Sequence, residues 1–185
     1  MRGNLTVPQP LRRRKKTPPG KGTMSRLTHT DEAGDARMVD VGGKPATNRR
    51  AVARGRVRFG REAFDLLKEN RLRKGDALGT ARLAGIQAGK RTADWIPLCH
   101  QVPLDHLDVT IDLQDDDREA AVTATAEARW PTGVEMEAMV AVSAACLTLY
   151  DMAKGVDRSI EISGIELMEK SGGRSGRWRR DGEKA

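Results

Sequence analysis

The sequence predicts an α+β fold, a ferredoxin-like βαββαβ sandwich in which helices cover one face of an antiparallel sheet. Three observations predict it. Strand-like and helical segments follow one another in the order strand, helical segment, strand, strand, helix, strand. Three consecutive aspartates, residues 115–117, form a turn between two alternating segments and so predict a hairpin. An apolar segment with helical periodicity, residues 132–154, fills the second crossover.

The first strand and most of its crossover occupy residues 51–91. Residues 51–59 alternate apolar and basic side chains from Val52 onward, which is typical of a half-buried strand, and residues 60–70 fit a short helix. Asp76 is placed to cap a second helix that runs from Ala77 to about Arg91. Small residues recur there at every fourth position, so we expect close packing against another backbone. They are Ala77, Ala81, Gly85 and Gly89.

The crossover ends in an apolar segment, Trp95–Leu104. We expect this segment to be extended and rigid because Pro97 and Pro103 exclude a regular helix. The two strands of the hairpin are predicted at His106–Leu113 and Ala120–Trp130. The first crossover is therefore unusually long, since it holds two helices and this proline-containing segment.

A long helix is predicted at Thr132–Lys154. Thr132 and Glu135 have the spacing of a capping box, and the acidic residues of the first turn lie where the helix dipole favours negative charge. The last strand is predicted at Ser159–Met168, with a bend at Gly164.

The positive charge of the chain is concentrated at its N-terminus. The formal net charge is +7, and residues 1–26 alone contribute +8, so residues 27–185 carry −1. The first segment is rich in Pro, Arg and Lys, which favours a disordered, solvated extension over a nucleic-acid contact. We expect a single domain at 27–170 that carries the candidate catalytic residues, and a Gly- and Arg-rich tail at 171–185. Residues 1–23 are interpreted as an optional tail or an over-long start.

The lengths of the apolar runs and the positions of the cysteines limit the classes to which the protein can belong. No apolar run approaches the length of a membrane span, so we expect a soluble protein without a membrane partner. Cys99 and Cys146, both in apolar stretches, fit neither a disulfide framework nor a common metal site. The histidines are too scattered to define a metal centre. These features predict a reducing, cytoplasmic compartment, with no metal and no cofactor.

Charged residues near the end of the long helix are the first candidates for chemistry. Asp151 and Lys154 are three residues apart and share one helix face. They form either a surface ion pair, which is the commoner case, or an acid/base couple. Lys74, in the Lys-Gly-Asp turn before the second helix, is either a solvent-facing residue or a cation suited to phosphate.

A second group of candidates precedes and begins the long helix. His100, in the segment Leu98-Cys99-His100, is held by bracketing prolines, although a lone histidine among apolar residues is usually structural. Glu135 and Glu137 either stabilise the helix dipole or bind a ligand. The glycine-rich segment 170–176 either wraps a phosphate or is a flexible tail.

The two groups cannot meet on one helix. Glu135 and Asp151 are sixteen residues apart, which is roughly 24 Å at about 1.5 Å per residue. If both ends are functional, an active site must be shared between subunits.

Several longer motifs together resemble the cyclic pyranopterin monophosphate synthase family (molybdenum cofactor biosynthesis protein C). They are LTHTDEAGDARMVDV, KGDALGTARLAGIQAGKRT, IPLCH, TGVEMEAMVAVSAACLTLYDMAKGVDR and EKSGGRSG. The likeness runs from about residue 27 to residue 176. Two departures stand out: the family's LCHPLPL is LCHQVPL here, with Gln101 and Val102, and its DMCKA is DMAKG, with Ala153 and Gly155.

The resemblance implies an activity, a substrate and an assembly. The family's enzymes are lyases that convert (8S)-3′,8-cyclo-7,8-dihydroguanosine 5′-triphosphate, a cyclised GTP intermediate supplied by a radical-SAM enzyme, to cyclic pyranopterin monophosphate and diphosphate. It implies a homohexamer, a trimer of dimers, with active sites at dimer interfaces. The matching motifs place catalytic roles on Asp151, Lys154 and Lys74. The implied substrate-binding residues are Leu98, Cys99, His100, Glu135, Met136, Glu137, Arg49 and Lys170.

Roles within this site follow from the chemistry. We expect Asp151 and Lys154 to be the acid/base pair, with the pKa of the lysine lowered by desolvation at an interface. Three cations would neutralise the triphosphate: Lys74, Arg49 and Lys170. Three side chains would hold the base-derived rings: His100, Glu135 and Glu137.

Two other classes of protein compete with this interpretation. An RNA-binding module of ferredoxin-like fold shares the order of elements, but such modules stack bases on strand aromatics. The first strand offers only Phe59, and residues 120–129 offer none, so we expect no nucleic-acid partner. A non-catalytic structural oligomer would leave the charged pair and the proline-braced His100 unexplained.

Overall fold

A computed structural model describes residues 35–180. A five-stranded antiparallel sheet in this range has the order β2-β3-β1-β4-β5. The elements are β1 (Thr47–Arg58), α1 (Arg61–Lys68), α2 (Ala77–Gly89), α3 (Thr92–Trp95), β2 (His106–Gln114), β3 (Glu119–Trp130), α4 (Glu135–Ala153), β4 (Glu161–Ser171) and β5 (Trp178–Arg179). The first four strands have the order of a ferredoxin-like sandwich, so the predicted fold class is confirmed. The predicted tail 1–26, with the optional start 1–23, lies outside the described residues.

The core lies between the sheet and α4, and small residues bring the two close together. On β1, Ala51, Ala53 and Val57 are fully buried, and Gly55 shares their face. A Cβ at Gly55 would lie 2.7 Å from Val142 Cγ1 of α4. The glycine that interrupts the strand pattern is therefore the point where the helix rests on the sheet.

α2 packs against α4 through its small residues; the sequence predicted a close neighbour for them and did not identify which element it is. Asp76 caps α2, because its Oδ1 accepts the backbone N–H of Gly79 at 2.9 Å. A Cβ at Gly85 would lie 2.8 Å from the carbonyl oxygen of Ala141, and one at Gly89 would lie 3.0 Å from that of Glu137. The helices run antiparallel, so the start of α2 lies beside the end of α4.

The capping box predicted at Thr132 is wrong. α4 begins at Glu135, and Val134 occupies the N-cap without a side-chain hydrogen bond. Glu135 pairs instead with Lys170, at 3.1 Å between Oε1 and Nζ. The carboxylate of Glu135 therefore binds a lysine of β4 rather than a backbone N–H at the start of α4. Thr132 lies in a loop that lines a cavity.

Three local predictions need adjustment. The segment predicted as extended, Trp95–Leu104, begins with the last residue of α3 and a turn in which Cys99 N donates to Ile96 O at 3.0 Å. The region predicted as a tail contains β5, which pairs with β4. Gly164 does bend β4: its φ is +58°, and the register against β1 shifts between Arg54 and Arg56.

α4 is long and apolar enough to cross a membrane by length and composition, contrary to the expectation that no such run exists. In the fold, 61% of that window is buried, and the buried part contacts the sheet and α2. This extent of burial is typical of a helix in a protein core.

Candidate active site

A cluster of three charged residues forms where the start of α2 meets the end of α4. Nζ of Lys74 lies 2.5 Å from Asp151 Oδ2 and 2.8 Å from the carbonyl oxygen of Asp151. Nζ of Lys154 lies 2.7 Å from the other carboxylate oxygen, Oδ1. The turn before α2, closed by Gly75 N donating to Leu72 O at 2.9 Å, places Lys74 there. All three predicted catalytic residues are thus in contact.

The ion pairs set the charges of this cluster. Hydrogen bonds from Lys154 and then from Lys74 lower the pKa of Asp151 to about 2. The same contact with Asp151 raises the pKa of Lys154. This is opposite to the lowered pKa expected for a desolvated lysine, because the side chains are about half exposed in the single chain. Lysine and aspartate are both charged here.

A cavity of about 340 Å³ lies at the other end of α4. Two triplets from different parts of the chain line it together: Leu98, Cys99, His100, Glu135, Met136 and Glu137. The turn at residues 96–99 and the first turn of α4 bring them together. Six of the eight predicted substrate-binding residues therefore share one cavity.

Glu137 is the buried titratable group of this cavity. The residue is 4% exposed, and its pKa is raised to about 7, first by burial and then by the charge of Glu135. Burial, with a smaller contribution from Glu137, also raises the pKa of the Cys99 thiol. A carboxyl group that exchanges its proton near neutrality is suited to proton transfer.

The two predicted phosphate cations have other partners. Nζ of Lys170 lies 3.1 Å from Glu135 Oε1 and 3.1 Å from Ser175 Oγ, so it lies beside the cavity. Arg49 donates from Nε to the carbonyl oxygen of Trp130 at 3.0 Å and from Nη2 to that of Pro131 at 2.9 Å. Arg49 thereby fixes the loop that leads into α4, and neither residue lines the cavity.

Two further cations line the cavity, and the sequence analysis did not single out one of them, Lys44. Lys44 and Arg174 both line the cavity. Arg174 lies inside the glycine-rich segment 170–176 whose phosphate-wrapping alternative was left open. Lys44 follows Gly42-Gly43 in a polar loop, and the glycine pair is the signal that could have indicated a shaped turn there.

The two clusters stay apart within one chain, since they lie at opposite ends of α4. A second cavity of about 650 Å³ borders Asp151 and is lined by exposed apolar side chains, among them Trp95 and Leu147. Within residues 35–180, no three or more His, Cys, Asp or Glu side chains are grouped so that they could hold a metal ion.

Fold and site together define a ferredoxin-like α+β protein equipped for acid/base chemistry on a small ligand. More narrowly, the chain belongs to the MoaC family, whose sequence profile matches residues 38–173. It is 53% identical over 162 residues to a cyclic pyranopterin monophosphate synthase of Thermomicrobium roseum, covering 88% of this chain and 98% of the relative. Identity is also 53% to enzymes of the same name from Cereibacter sphaeroides (84% and 98% covered) and Brucella ovis (83% and 93% covered). The family resemblance inferred from the sequence motifs is confirmed.

Proposed function

We propose that this chain is a lyase of molybdenum cofactor biosynthesis that converts the cyclised GTP intermediate to cyclic pyranopterin monophosphate and diphosphate. The observation that carries the proposal is the cavity in which Leu98–His100 meets Glu135–Glu137. These triplets come from separate motifs of the family, and in the folded chain they line one space of ligand size. Relatives that share 53% of their residues with this chain carry the name of this activity.

The reaction consists of proton transfers and one phosphoryl transfer. The guanine-derived rings open and re-form, and a substrate hydroxyl then attacks the α-phosphorus while the bond to the β-phosphate oxygen breaks and diphosphate leaves. The hydroxyl proton needs a base, and the ring steps need groups that give and accept protons. We assign this work to Asp151 and Lys154, with Lys74 holding the carboxylate by its 2.5 Å contact. No step requires a change of redox state.

The substrate-binding roles follow from the cavity. His100, Glu135 and Glu137 would hold the base-derived rings between the apolar side chains of Leu98 and Met136. Cys99 would contact the same rings, and its raised thiol pKa keeps it neutral. We propose Lys170 and Arg49 as supporting cations, since each contacts a part of the structure that shapes the cavity. Lys170 contacts Glu135, and Arg49 contacts the loop before α4.

The separation of the two clusters supports a site shared between subunits. We propose a homohexamer, a trimer of dimers, in which the Asp151 cluster of one subunit faces the cavity of another. Trp95 and Leu147, exposed over 51% and 54% of their surface, line a cavity together with Asp151. Burial of that cavity by a second copy would desolvate Lys154 and move its pKa down, towards the value that proton transfer needs.

The last part of the proposal concerns the cellular location of the enzyme and the source of its substrate. We propose that the enzyme is cytoplasmic and receives its substrate from a radical-SAM enzyme, because the cyclised substrate has a new carbon–carbon bond at an unactivated sugar carbon. Bond formation of that type is typical of radical chemistry.

The test is incubation of the full chain with the cyclised GTP intermediate, followed by assays for diphosphate and for the pterin product. We expect both products in equal amounts. Release of diphosphate without a pterin, or no turnover at all, would overturn the proposal. The size of the active species, measured by light scattering, tests the hexamer separately.

The RNA-binding alternative has little support. Phe59, the aromatic residue of the predicted first strand, is 2% exposed, so it has no free face on which a base could stack. An RNA mobility shift that depends on salt and survives deletion of residues 1–23 would revive this alternative.

A further inference from the structure

The carboxylate of Asp157 joins the end of α4 to the start of α1. Its Oδ2 accepts the backbone N–H of Gly60 at 2.7 Å, across 97 positions of the chain. Its Oδ1 accepts from the backbone N–H of Ser159 at 2.8 Å and from the Ser159 hydroxyl at 2.6 Å. These hydrogen bonds, that of the hydroxyl first and that of Gly60 second, lower the pKa of Asp157. Asp157 is therefore a charged link between two elements.

Gly60 leaves room for this carboxylate. A Cβ at residue 60 would lie 2.8 Å from Asp157 Oδ2. The backbone there has φ of −65° and ψ of 158°, a conformation that other residues also adopt. Gly60 is the N-cap of α1 and makes no side-chain cap of its own, so Asp157 binds the N–H that a capping box would satisfy from within the helix. The close approach, rather than the backbone conformation, accounts for the glycine.

The other end of α1 leads to Lys74. Three apolar residues of the helix are buried in the core. They are Ala63, Phe64 and Leu67. After the helix, Leu72 is buried as well, and its carbonyl oxygen accepts the Gly75 N–H at 2.9 Å to close the turn that carries Lys74. Segment 60–74 therefore moves as one packed unit, since close-packed interiors transmit displacements.

Two contacts tie this segment to the end of α4. Asp157 binds its start through Gly60. Asp151 binds its end, because Nζ of Lys74 lies 2.5 Å from Asp151 Oδ2. A shift at the start of the segment would thus change the distance between Lys74 and Asp151 at its end.

The same carboxylate limits the turn that carries Lys154. α4 ends at Ala153 with Lys154 as its C-cap, and the next residue, Gly155, has open space around a Cβ. Two residues further on, the backbone N–H of Asp157 donates to Ala153 O at 3.2 Å while its side chain binds Gly60. Lys154 therefore lies between the helix and a residue that is held by both its backbone and its side chain.

We propose that Asp157 is a positioning residue, which sets Lys74 and Lys154 against the two carboxylate oxygens of Asp151 through its hydrogen bond to Gly60. It acts through the two lysines, which approach Asp151 Oδ2 and Oδ1 respectively. A misplacement of about 1 Å by a change away from the chemistry can cost roughly 100-fold in rate. The inference rests on the proposed function for the catalytic role of Asp151, but not for the geometry of the three charged groups.

The test removes the contact from each side. Asp157→Ala removes the acceptor, and Gly60→Ala displaces it, since the new Cβ would lie 2.8 Å from Asp157 Oδ2. Asp157→Asn keeps one oxygen acceptor. Asp105→Ala is the matched control, because Asp105 Oδ2 accepts a backbone N–H at 2.8 Å from a different element, at Arg129 of β3.

Two readouts are taken on the full chain: the pKa of Asp151, by ¹³C NMR titration, and kcat and KM with the cyclised GTP intermediate. We expect Asp157→Ala and Gly60→Ala to raise the pKa of Asp151 from about 2 towards its ordinary value and to lower kcat roughly tenfold or more, with KM little changed. Asp157→Asn should recover part of both effects, and Asp105→Ala should match the wild type. The double variant should shift no further than the larger single change, because both substitutions break one contact.

The outcomes separate this inference from the proposed function. If Asp157→Ala and Gly60→Ala keep the wild-type pKa of Asp151, the inference is overturned, even if urea unfolding shows both to be less stable, since Asp157 then supports only the fold. Additive shifts in the double variant would overturn it too. If the pKa shifts as expected while the wild type makes no pterin, the positioning role stands and the proposed function fails. Should Asp157→Ala not fold, Gly60→Ala and Asp157→Asn decide the question by the same readouts.

Discussion

The ammonium group of Lys74 lies 2.5 Å from Oδ2 of Asp151, although 77 positions separate the two residues. The contact links the turn before α2 to the last turn of α4, and with Lys154 it surrounds one carboxylate by two cations. An exposed ion pair contributes little to stability. Three charged groups in contact beside exposed apolar side chains fit the proposal of an active site shared between subunits.

Asp151→Asn should abolish product formation, because the amide keeps the shape of the side chain but cannot take a proton. General acid/base groups contribute about 10²–10⁴-fold to a rate, so we expect a loss of at least about 100-fold in kcat. Substrate binding and oligomeric state should be largely retained. Asp115→Asn is the matched control, since Asp115 also forms a 2.5 Å ion pair with a lysine but lies elsewhere. An active Asp151→Asn enzyme would refute the role.

Removing either lysine should raise the pKa of Asp151 from about 2 towards its ordinary value. The Lys154 hydrogen bond is the largest cause of the lowered pKa, so Lys154→Ala should raise it more than Lys74→Ala. The sign follows from linkage: a lowered carboxyl pKa stabilises the fold above the unfolded value, and the effect disappears as pH falls through the folded value. A ¹³C NMR titration of the carboxyl carbon measures it. Identical titrations in wild type and both variants would contradict the ion-pair cluster.

Glu137→Gln should make the folded protein less sensitive to pH between about 4.5 and 7. The buried carboxyl has its pKa raised from 4.5 to about 7, so the folded state binds more protons than the unfolded state in this window. The free energy of unfolding of the wild type should therefore fall as pH rises through it, by roughly 3 kcal/mol, and level off above.

Urea unfolding of Glu137→Gln at several pH values measures this effect. The variant should lack that fall and should be the more stable protein near pH 8. Glu62→Gln, at an exposed site in the first turn of α1, should keep the wild-type dependence. A wild type whose stability rises with pH across this window would show that Glu137 is ionised in the folded state.

Gly85→Ala should destabilise the protein, whereas Gly155→Ala should not. A Cβ at position 85 would lie 2.8 Å from the carbonyl oxygen of Ala141, which is backbone and yields little. Overpacking costs about 1–3 kcal/mol, which outweighs the helix propensity gained by alanine, at most about 1 kcal/mol.

Position 155 has open space around a Cβ, and its backbone is not left-handed. The Gly155→Ala change, which also restores the residue typical of the family motif, should stabilise by about 0.4–1 kcal/mol through the unfolded state. Thermal and urea unfolding of both variants provide the comparison. A Gly85→Ala protein as stable as the wild type would show that the α2–α4 contact can open without cost.

Predictions made from periodicity and spacing were confirmed where one local rule decides the structure. Alternation placed β1, β2 and β3 within a few residues of their observed bounds, and the fourfold spacing of small residues identified the face of α2 that meets α4. Thr132 failed as a cap because the local rule competed with a distant partner: Glu135 contacts Lys170 on β4 instead of the helix N-terminus. β5 was missed because two residues carry no periodicity of their own.

The site residues also divide into those that a local spacing indicated and those whose partners are distant in the chain. Spacing alone left Asp151 and Lys154 as either a surface pair or an acid/base couple, and nothing in their neighbourhood pointed to Lys74. Lys44 was not singled out because its significance lies in lining the same cavity as Arg174, and 130 positions separate them in the chain.

By itself, the sequence determined the order of most strands and helices, the close approach of another backbone to α2, and the family. These depend on side-chain size and polarity at fixed local spacings. Only the tertiary structure decided which charges are neutralised, because the partner of a cation is set by distances through space. Arg49 donates to backbone carbonyls and Lys170 pairs with Glu135. Lys44 and Arg174 have no side-chain partner within residues 35–180. The same burial raises the pKa of Glu137, and no local pattern of residues encodes it.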